Sequence, residues 1–94
     1  MRFKLLYESK RNIEESIKGI LEKQYMLKKM TNISIDKEHN RATIQFIKGY
    51  FNQVSLPQYF EMGWKKHFKD DGYDLKNTIV NERADNILLT FLEI

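Results

Sequence analysis

An apolar residue recurs at every fourth position between residues 56 and 68 of this chain. That spacing places the apolar side chains on one face of an α-helix, and so apolar a face must be buried against another element. Ser55 as N-cap, with Gln58 at the third position, predicts where the helix begins, and Pro57 is tolerated in its first turn. Asp71 and Gly72 predict its end. The stripe consists of Leu56, Phe60, Trp64 and Phe68.

A second helical pattern lies nearer the start of the chain. Asn12 followed by Glu15 matches a capping box, in which each side chain bonds the backbone N–H of the other residue. Apolar residues then fall on one face at helical spacing, and charges of alternating sign occupy the opposite face. We expect this helix to end at Thr31 and Asn32. Its apolar face consists of Ile13, Ile17, Ile20, Leu21 and Leu27.

Other segments alternate apolar and polar residues, which is typical of strands with one buried face. Residues 2–8 form the first predicted strand, and residues 33–35 and 42–46 form a hairpin around the polar turn 36–40. Residues 77–94 fit either a helix or a second hairpin. We expect the hairpin, because β-branched residues flank six consecutive positions without a large apolar side chain.

The predicted element order is β-α-β-β-α-β(-β). It indicates an α+β fold with a single antiparallel sheet and two helices on one face, which resembles a ferredoxin-like sandwich with an added C-terminal strand. A chain of 94 residues has room for one domain, residues 1–94, with a modest core. Because such sandwiches host RNA binders, nucleases, regulators and inhibitors alike, the fold does not select a function.

The chain contains no cysteine, two histidines and no glycine-rich phosphate loop. His39 falls in the predicted turn beside Asp36 and Glu38, but one imidazole and two mobile carboxylates lack the four preorganised ligands of a zinc site. His67 borders the apolar stripe, and we expect it to be half-buried and hydrogen-bonded through one ring nitrogen. We therefore expect no catalytic residue, no metal and no cofactor, and a protein that is not an enzyme.

The longest apolar run without a charge, residues 87–92, is far too short to span a bilayer. The first ten residues alternate charged and apolar side chains and do not resemble a secretory signal. With no disulfide to suggest an oxidising compartment, we expect a soluble, cytoplasmic protein without a membrane partner.

The net charge of +3 is unevenly distributed along the chain. Residues 1–48 contain eleven Lys and Arg and six Asp and Glu, a balance of +5, whereas residues 49–94 contain five and seven, a balance of −2. Such asymmetry favours an acidic protein patch or a polyanion as partner. The preference for Lys over Arg, with abundant Asn and Ile, is typical of low-GC bacteria and their phages.

Lys48, Tyr50 and Phe51 follow the predicted strand 42–46 and form the first candidate binding group. They resemble the aromatic strand motif of RNA-recognition domains, whose rings stack on bases. The resemblance is incomplete, because the position after Tyr50 should be small. We favour the other interpretation, in which both rings pack under the neighbouring loop.

The second candidate group lies opposite the apolar stripe of the second helix, where three lysines surround a methionine. Methionine adapts to irregular partner surfaces, and lysines steer a protein toward acidic ones. This group contains Met62, Lys65, Lys66 and Lys69, with Gln58 on the same face. The other interpretation, which the sequence alone favours, is a solvated lysine face with an incidental methionine.

We expect a small, basic, non-enzymatic binding protein that occupies a protein partner, as inhibitors and regulators of phages and mobile elements do. The alternative is a single-stranded nucleic-acid-binding domain that uses Lys48, Tyr50, Phe51 and the lysines of the first half. A hydrolase such as a small ribonuclease comes third. A continuous basic face over the sheet favours nucleic acid, whereas an apolar patch with mixed charges favours protein.

Overall fold

A computed structural model of the protein describes residues 12–57 and 59–94. The predicted first strand, residues 2–8, and Gln58 lie outside the described residues. The elements are α1 (Ile13–Lys23), a 3-10 turn (Leu27–Lys29), β1 (Met30–Asp36), β2 (Arg41–Phe46), α2 (Tyr50–Gln53), α3 (Phe60–Asp70), β3 (Tyr73–Asn81) and β4 (Asn86–Glu93).

The four strands form one antiparallel sheet in the order β1-β2-β4-β3. Ile33 lies opposite Ile44, Ile44 opposite Ile87, and Val80 opposite Ile87, so these residues form one row across the sheet. Ile44 and Ile87 are fully buried, and the two outer members of the row pack partly buried against the same core. This face of the sheet is therefore the wall of the core.

Helix α1 begins with the predicted capping box. The Asn12 Oδ1 atom accepts a hydrogen bond from the Glu15 backbone N–H at 2.8 Å, and the Glu15 carboxylate accepts one from the Asn12 backbone N–H at 3.4 Å. The helix ends at Lys23, earlier than predicted, because the Met26 N–H turns back to the Leu21 carbonyl at 2.8 Å. Leu27 consequently lies in the 3-10 turn.

Helix α3 begins at Phe60, and the prediction that Ser55 caps it is wrong. The residue before a proline is disfavoured in helical conformation, so Pro57 keeps Leu56 out of the first turn. The apolar stripe is confirmed from Phe60 to Phe68, whereas Leu56 lies before the helix and is partly buried against the core. Trp64 and Phe68 are fully buried, and the Phe60 ring meets the Trp64 ring edge-on at a centroid distance of 5.5 Å. The helix ends before Asp71 and Gly72, as predicted.

Both helices pack on the same side of the sheet, and two side-chain hydrogen bonds show that they run antiparallel. Near the start of α1, the Ser16 hydroxyl donates to the Asp71 carboxylate at 2.7 Å, beyond the end of α3. At the other end, Trp64 Nε1 donates to the Gln24 Oε1 atom at 2.9 Å. The C-terminal end of α1 therefore lies beside the N-terminal half of α3.

The predicted fold class, an α+β domain with one antiparallel sheet and helices on one face, is confirmed for the described residues. The C-terminal hairpin is also confirmed, and β3 begins at Tyr73, earlier than expected. The ferredoxin-like order stays a prediction, because its first strand lies outside the described residues. None of the described helices is long and apolar enough to cross a membrane.

A buried aspartate joins the β3–β4 turn to the loop after β2. The Asp85 carboxylate accepts hydrogen bonds from the backbone N–H groups of Gly49 at 2.8 Å and Phe51 at 3.3 Å. The Asp85 carbonyl accepts two more, from the Phe46 N–H at 2.9 Å and from Gln45 Nε2 at 3.1 Å. Asp85 thereby caps α2 from a distant part of the chain.

We expect Asp85→Ala to lower the free energy of unfolding by about 2 to 3 kcal/mol, because two N–H groups lose their acceptors and alanine disfavours a positive φ. Urea unfolding followed by circular dichroism measures the loss. Asp85→Asn is the matched control, since asparagine tolerates this backbone conformation and keeps one acceptor, so its loss should be smaller. Equal stability of the alanine variant and the wild type would contradict this role.

Candidate functional site

The predicted methionine–lysine group lies on the outer side of α3. Met62 is 67% exposed, and Tyr59, immediately before the helix, is 70% exposed. Residues three or four positions apart lie on the same side of a helix. Tyr59 and Met62 therefore lie on the same side of α3 as a group of exposed lysines. We call this surface the outer stripe of α3, and it consists of Tyr59, Met62, Lys65, Lys66 and Lys69.

The three lysines of the outer stripe form no ion pair with another described residue. The ion pairs between described residues involve other groups, such as Lys18 with Glu14 and Lys76 with Asp74. The ammonium groups of the three lysines are therefore available to pair with an approaching molecule. The stripe has an apolar end at Tyr59 and Met62 and a positively charged end at Lys69.

The structure does not bring Lys48, Tyr50 and Phe51 together on one surface. Tyr50 and Phe51 lie in the short helix α2 and are only 8% and 7% exposed, while Lys48 is exposed in the turn before it. The Tyr50 ring stacks on Phe46 at 5.1 Å, and the Phe51 ring meets Phe46 edge-on at 5.3 Å. Gly49 has a left-handed φ of +79°, and the chain changes direction at this residue. Both rings consequently lie in the core.

The outer face of the sheet, which points away from the helices, is a second surface on which bases could stack. One row across it is Ser34, Thr43, Leu88 and Ile79, and these residues line a shallow hollow of about 550 Å³. Over the described strands, no aromatic side chain lies on this face, because the ring-bearing positions alternate onto the core side. The charges on the face are mixed in sign: Asp36, Arg41, Asp74 and Lys76.

His39 lies in the β1–β2 turn beside Asp36 and Glu38, and the ligand atoms of the three lie within 4.8 Å of one another. The His39 Nδ1–H donates to the Asp36 carboxylate at 2.8 Å, and this hydrogen bond lowers the pKa of Asp36 below its ordinary value. All three side chains are exposed. A zinc site would need a fourth ligand and a buried supporting shell.

Ser16, His67 and Asp71 form a cluster that contains the residue types of a hydrolase triad in a different arrangement. The Ser16 hydroxyl donates to Asp71 rather than to the histidine. His67 Nε2 lies 2.8 Å from the Ser16 backbone carbonyl, which only accepts, so this nitrogen carries the proton. It is therefore not free to remove a proton from the serine, and Ser16 is fully buried. The cluster joins α1 to α3.

Comparison of the chain with protein-family models, with curated proteins and with solved structures finds no match.

Two exposed tyrosines belong to the surface of the helix layer, and the sequence interpretation did not single them out as binding residues. Tyr25 is 91% exposed and directly follows Gln24, the C-cap residue of α1. Both tyrosines are aromatic residues outside the buried stripe of the neighbouring helix, and this placement is the sequence signal that would have identified them.

We expect Tyr50→Phe to improve stability selectively at alkaline pH. Burial raises the pKa of the Tyr50 phenol, so its contribution is fully present below the unfolded value of about 10 and is lost as the pH rises through the folded value. Urea unfolding at about pH 8 and about pH 11 should show a smaller alkaline loss for the variant. Tyr25→Phe is the control, because that ring is exposed. Identical alkaline losses in wild type and Tyr50→Phe would contradict burial of the Tyr50 phenol.

Proposed function

We propose that the protein is a small non-enzymatic binding protein that acts by occupying a protein partner through the outer stripe of α3. The observation that carries this proposal is the exposure of Tyr59 and Met62, 70% and 67%, directly beside lysines that form no ion pair with another described residue. Tyrosine is enriched among the residues that dominate binding energy at protein interfaces. Methionine adapts its shape to the partner, and lysines accelerate encounter with an acidic surface.

Two features favour a protein partner over single-stranded nucleic acid. The rings of Tyr50 and Phe51, which were the candidates for base stacking, pack on Phe46 inside the core. The outer face of the sheet combines charges of both signs with the aliphatic residues Ile79 and Leu88, rather than a continuous basic surface. Recognition of single strands depends on exposed stacking platforms along a basic groove.

The finer part of the proposal is an inhibitor or regulator of phage or mobile-element origin that works in the cytoplasm. The composition supports it: lysine outnumbers arginine by twelve to four, and cysteine is absent. A protein that acts by occupancy needs a stable fold and one accessible surface. The helix layer supplies that surface, and the core behind it contains the fully buried Trp64 and Phe68.

Site-specific photocrosslinking tests the proposed surface. A photoreactive phenylalanine at position 62, in the full chain added to host lysate, should yield a protein adduct that survives nuclease treatment. Position 79 is the matched control, since Ile79 is also exposed and apolar but lies on the outer face of the sheet. Met62→Ser should reduce retention of the same partner by about tenfold without loss of stability. Adducts at position 79 alone would place the interface elsewhere and contradict the proposal.

Direct titration with single-stranded RNA and DNA tests the alternative function. At about 150 mM salt we expect a dissociation constant no tighter than the non-specific range of roughly 10⁻⁴ to 10⁻⁶ M. Fluorescence anisotropy of a labelled oligonucleotide measures it. Submicromolar binding that Lys48→Ala weakens, with unchanged folding, would favour nucleic acid over a protein partner. Lys48 suits this test because its side chain is exposed, whereas substitution of Tyr50 or Phe51 would also disturb the core.

A further inference from the structure

Tyr25 occupies a position where helices usually end with glycine. The Met26 N–H bonds the Leu21 carbonyl at 2.8 Å and the Tyr25 N–H bonds the Glu22 carbonyl at 3.2 Å, which together form a Schellman motif at the end of α1. The residue in this position must adopt left-handed backbone angles, and Tyr25 does so with a φ of +59°. Glycine is the residue that adopts this conformation without steric cost.

A tyrosine at this position is exceptional within the described chain. Besides glycines, the described residues with positive φ are Tyr25, Asn40 and Asp85. Asparagine and aspartate tolerate left-handed angles, because their short polar side chains bond the local backbone. A bulky residue such as tyrosine is a steric outlier there. The backbone strain at Tyr25 therefore demands another reason for the ring.

The fold offers no such reason. The Tyr25 side chain is 91% exposed and forms no hydrogen bond or ring contact with another described residue. The apolar contact that normally accompanies a Schellman motif is supplied by Met26 and Leu21, which are both buried. Strained residues that contribute nothing to packing cluster at functional sites, where the strain is kept for the sake of the side chain.

The surroundings of Tyr25 indicate what its ring would meet. Shallow hollows of about 540 and 420 Å³ flank it, one lined with Leu27 and Lys28 and the other with Lys23. The hollow of about 540 Å³ has room for an apolar side chain between the Tyr25 ring and Leu27. Exposed lysines surround the position, with Glu22 as the nearby acid: Lys23, Lys28 and Lys29. Charge complementarity therefore selects an acidic segment that also carries an apolar side chain.

Tyr25 also lies at the same end of the helix pair as the apolar end of the outer stripe. The residue before it, Gln24, accepts the hydrogen bond from Trp64 Nε1. Trp64 lies one turn after Phe60, the first residue of α3, and Tyr59 immediately precedes Phe60. Because the helices are antiparallel, the end of α1 and the start of α3 lie at the same end of the helix pair. A partner that covers this end would contact Tyr25 and Tyr59, with Met62 about one turn further along α3.

We infer that Tyr25 is an anchor residue through which the protein holds an acidic, partly apolar segment of its protein partner, an inference that rests on the proposed function. The protein keeps a tyrosine in a strained backbone position because its ring packs against the partner's apolar side chain. The lysines around it neutralise the partner's carboxylates. Replacing Tyr25 with a residue that tolerates left-handed backbone angles should therefore relieve strain in the free protein and, because the ring is lost, weaken binding.

Two substitutions at one position separate these effects. Tyr25→Asn removes the ring and suits the left-handed backbone, whereas Tyr25→Phe keeps both the ring and the strain. The probe is a fluorescein-labelled peptide of glutamate and leucine in mixed order, with a matched peptide in which glutamine replaces glutamate. Wild type and Tyr25→Phe should bind the acidic peptide equally, and about tenfold more tightly than the glutamine peptide. Tyr25→Asn should bind about tenfold more weakly, and its urea midpoint should rise.

Each contrary result is informative. The anchor role is overturned if wild type does not prefer the acidic peptide, or if Tyr25→Asn binds it as well as wild type does. A lower urea midpoint for Tyr25→Asn would show that the ring serves the fold instead. If Met62→Ser loses the crosslinked partner and Tyr25→Asn retains it, the anchor inference fails while the proposed function stands. If neither substitution changes partner retention, both fail.

Discussion

The architecture of this domain depends on one buried carboxylate. Asp85 accepts backbone hydrogen bonds from Gly49 and Phe51, and its own carbonyl accepts one from Phe46. These bonds hold the loop after β2 against the β3–β4 turn and orient α2. Hydrogen bonds that a carboxylate accepts from backbone N–H groups are stronger than bonds between neutral groups. They hold the backbone of the segment that carries Tyr50 and Phe51, whose rings pack with Phe46 in the core.

This arrangement also decides which surfaces are left for binding. Tyr50 and Phe51 are committed to the core, and the outer face of the sheet carries short polar and aliphatic side chains. The exposed tyrosines and methionine of the described chain are consequently on the helix layer: Tyr25, Tyr59 and Met62. The same layer carries Lys65, Lys66 and Lys69, which form no ion pair with another described residue. The candidate binding residues therefore lie on the side of the molecule opposite the sheet.

Sequence patterns predicted a helix correctly where the residues that determine it are close together in the chain. They failed where those residues are far apart. The capping box of Asn12 and Glu15 spans three residues, and the stripe through Trp64 and Phe68 repeats every four, so both are visible in sequence. Helix α2 was missed, because its cap comes from Asp85, 34 to 36 positions away. The exposed tyrosines were missed for a related reason. Exposure depends on which side of a helix other elements cover, and a single ring outside a stripe is a weak local signal.

The packing behind the proposed binding surface connects the stability of the helix pair to the proposed function. The Trp64–Gln24 hydrogen bond lies one residue from Tyr25, and Trp64 is fully buried between the layers. The Ser16–Asp71 bond secures the opposite end of the pair, so neither helix can shift along the other without breaking a bond. A surface held this firmly loses little backbone entropy when a partner arrives, and the entropy lost on binding falls mainly on the exposed side chains. Tyrosine has few rotatable bonds, so it adds contact area at a lower entropic cost than lysine does. The tyrosines are therefore suited to provide binding energy, and the lysines around them are suited to guide the approach.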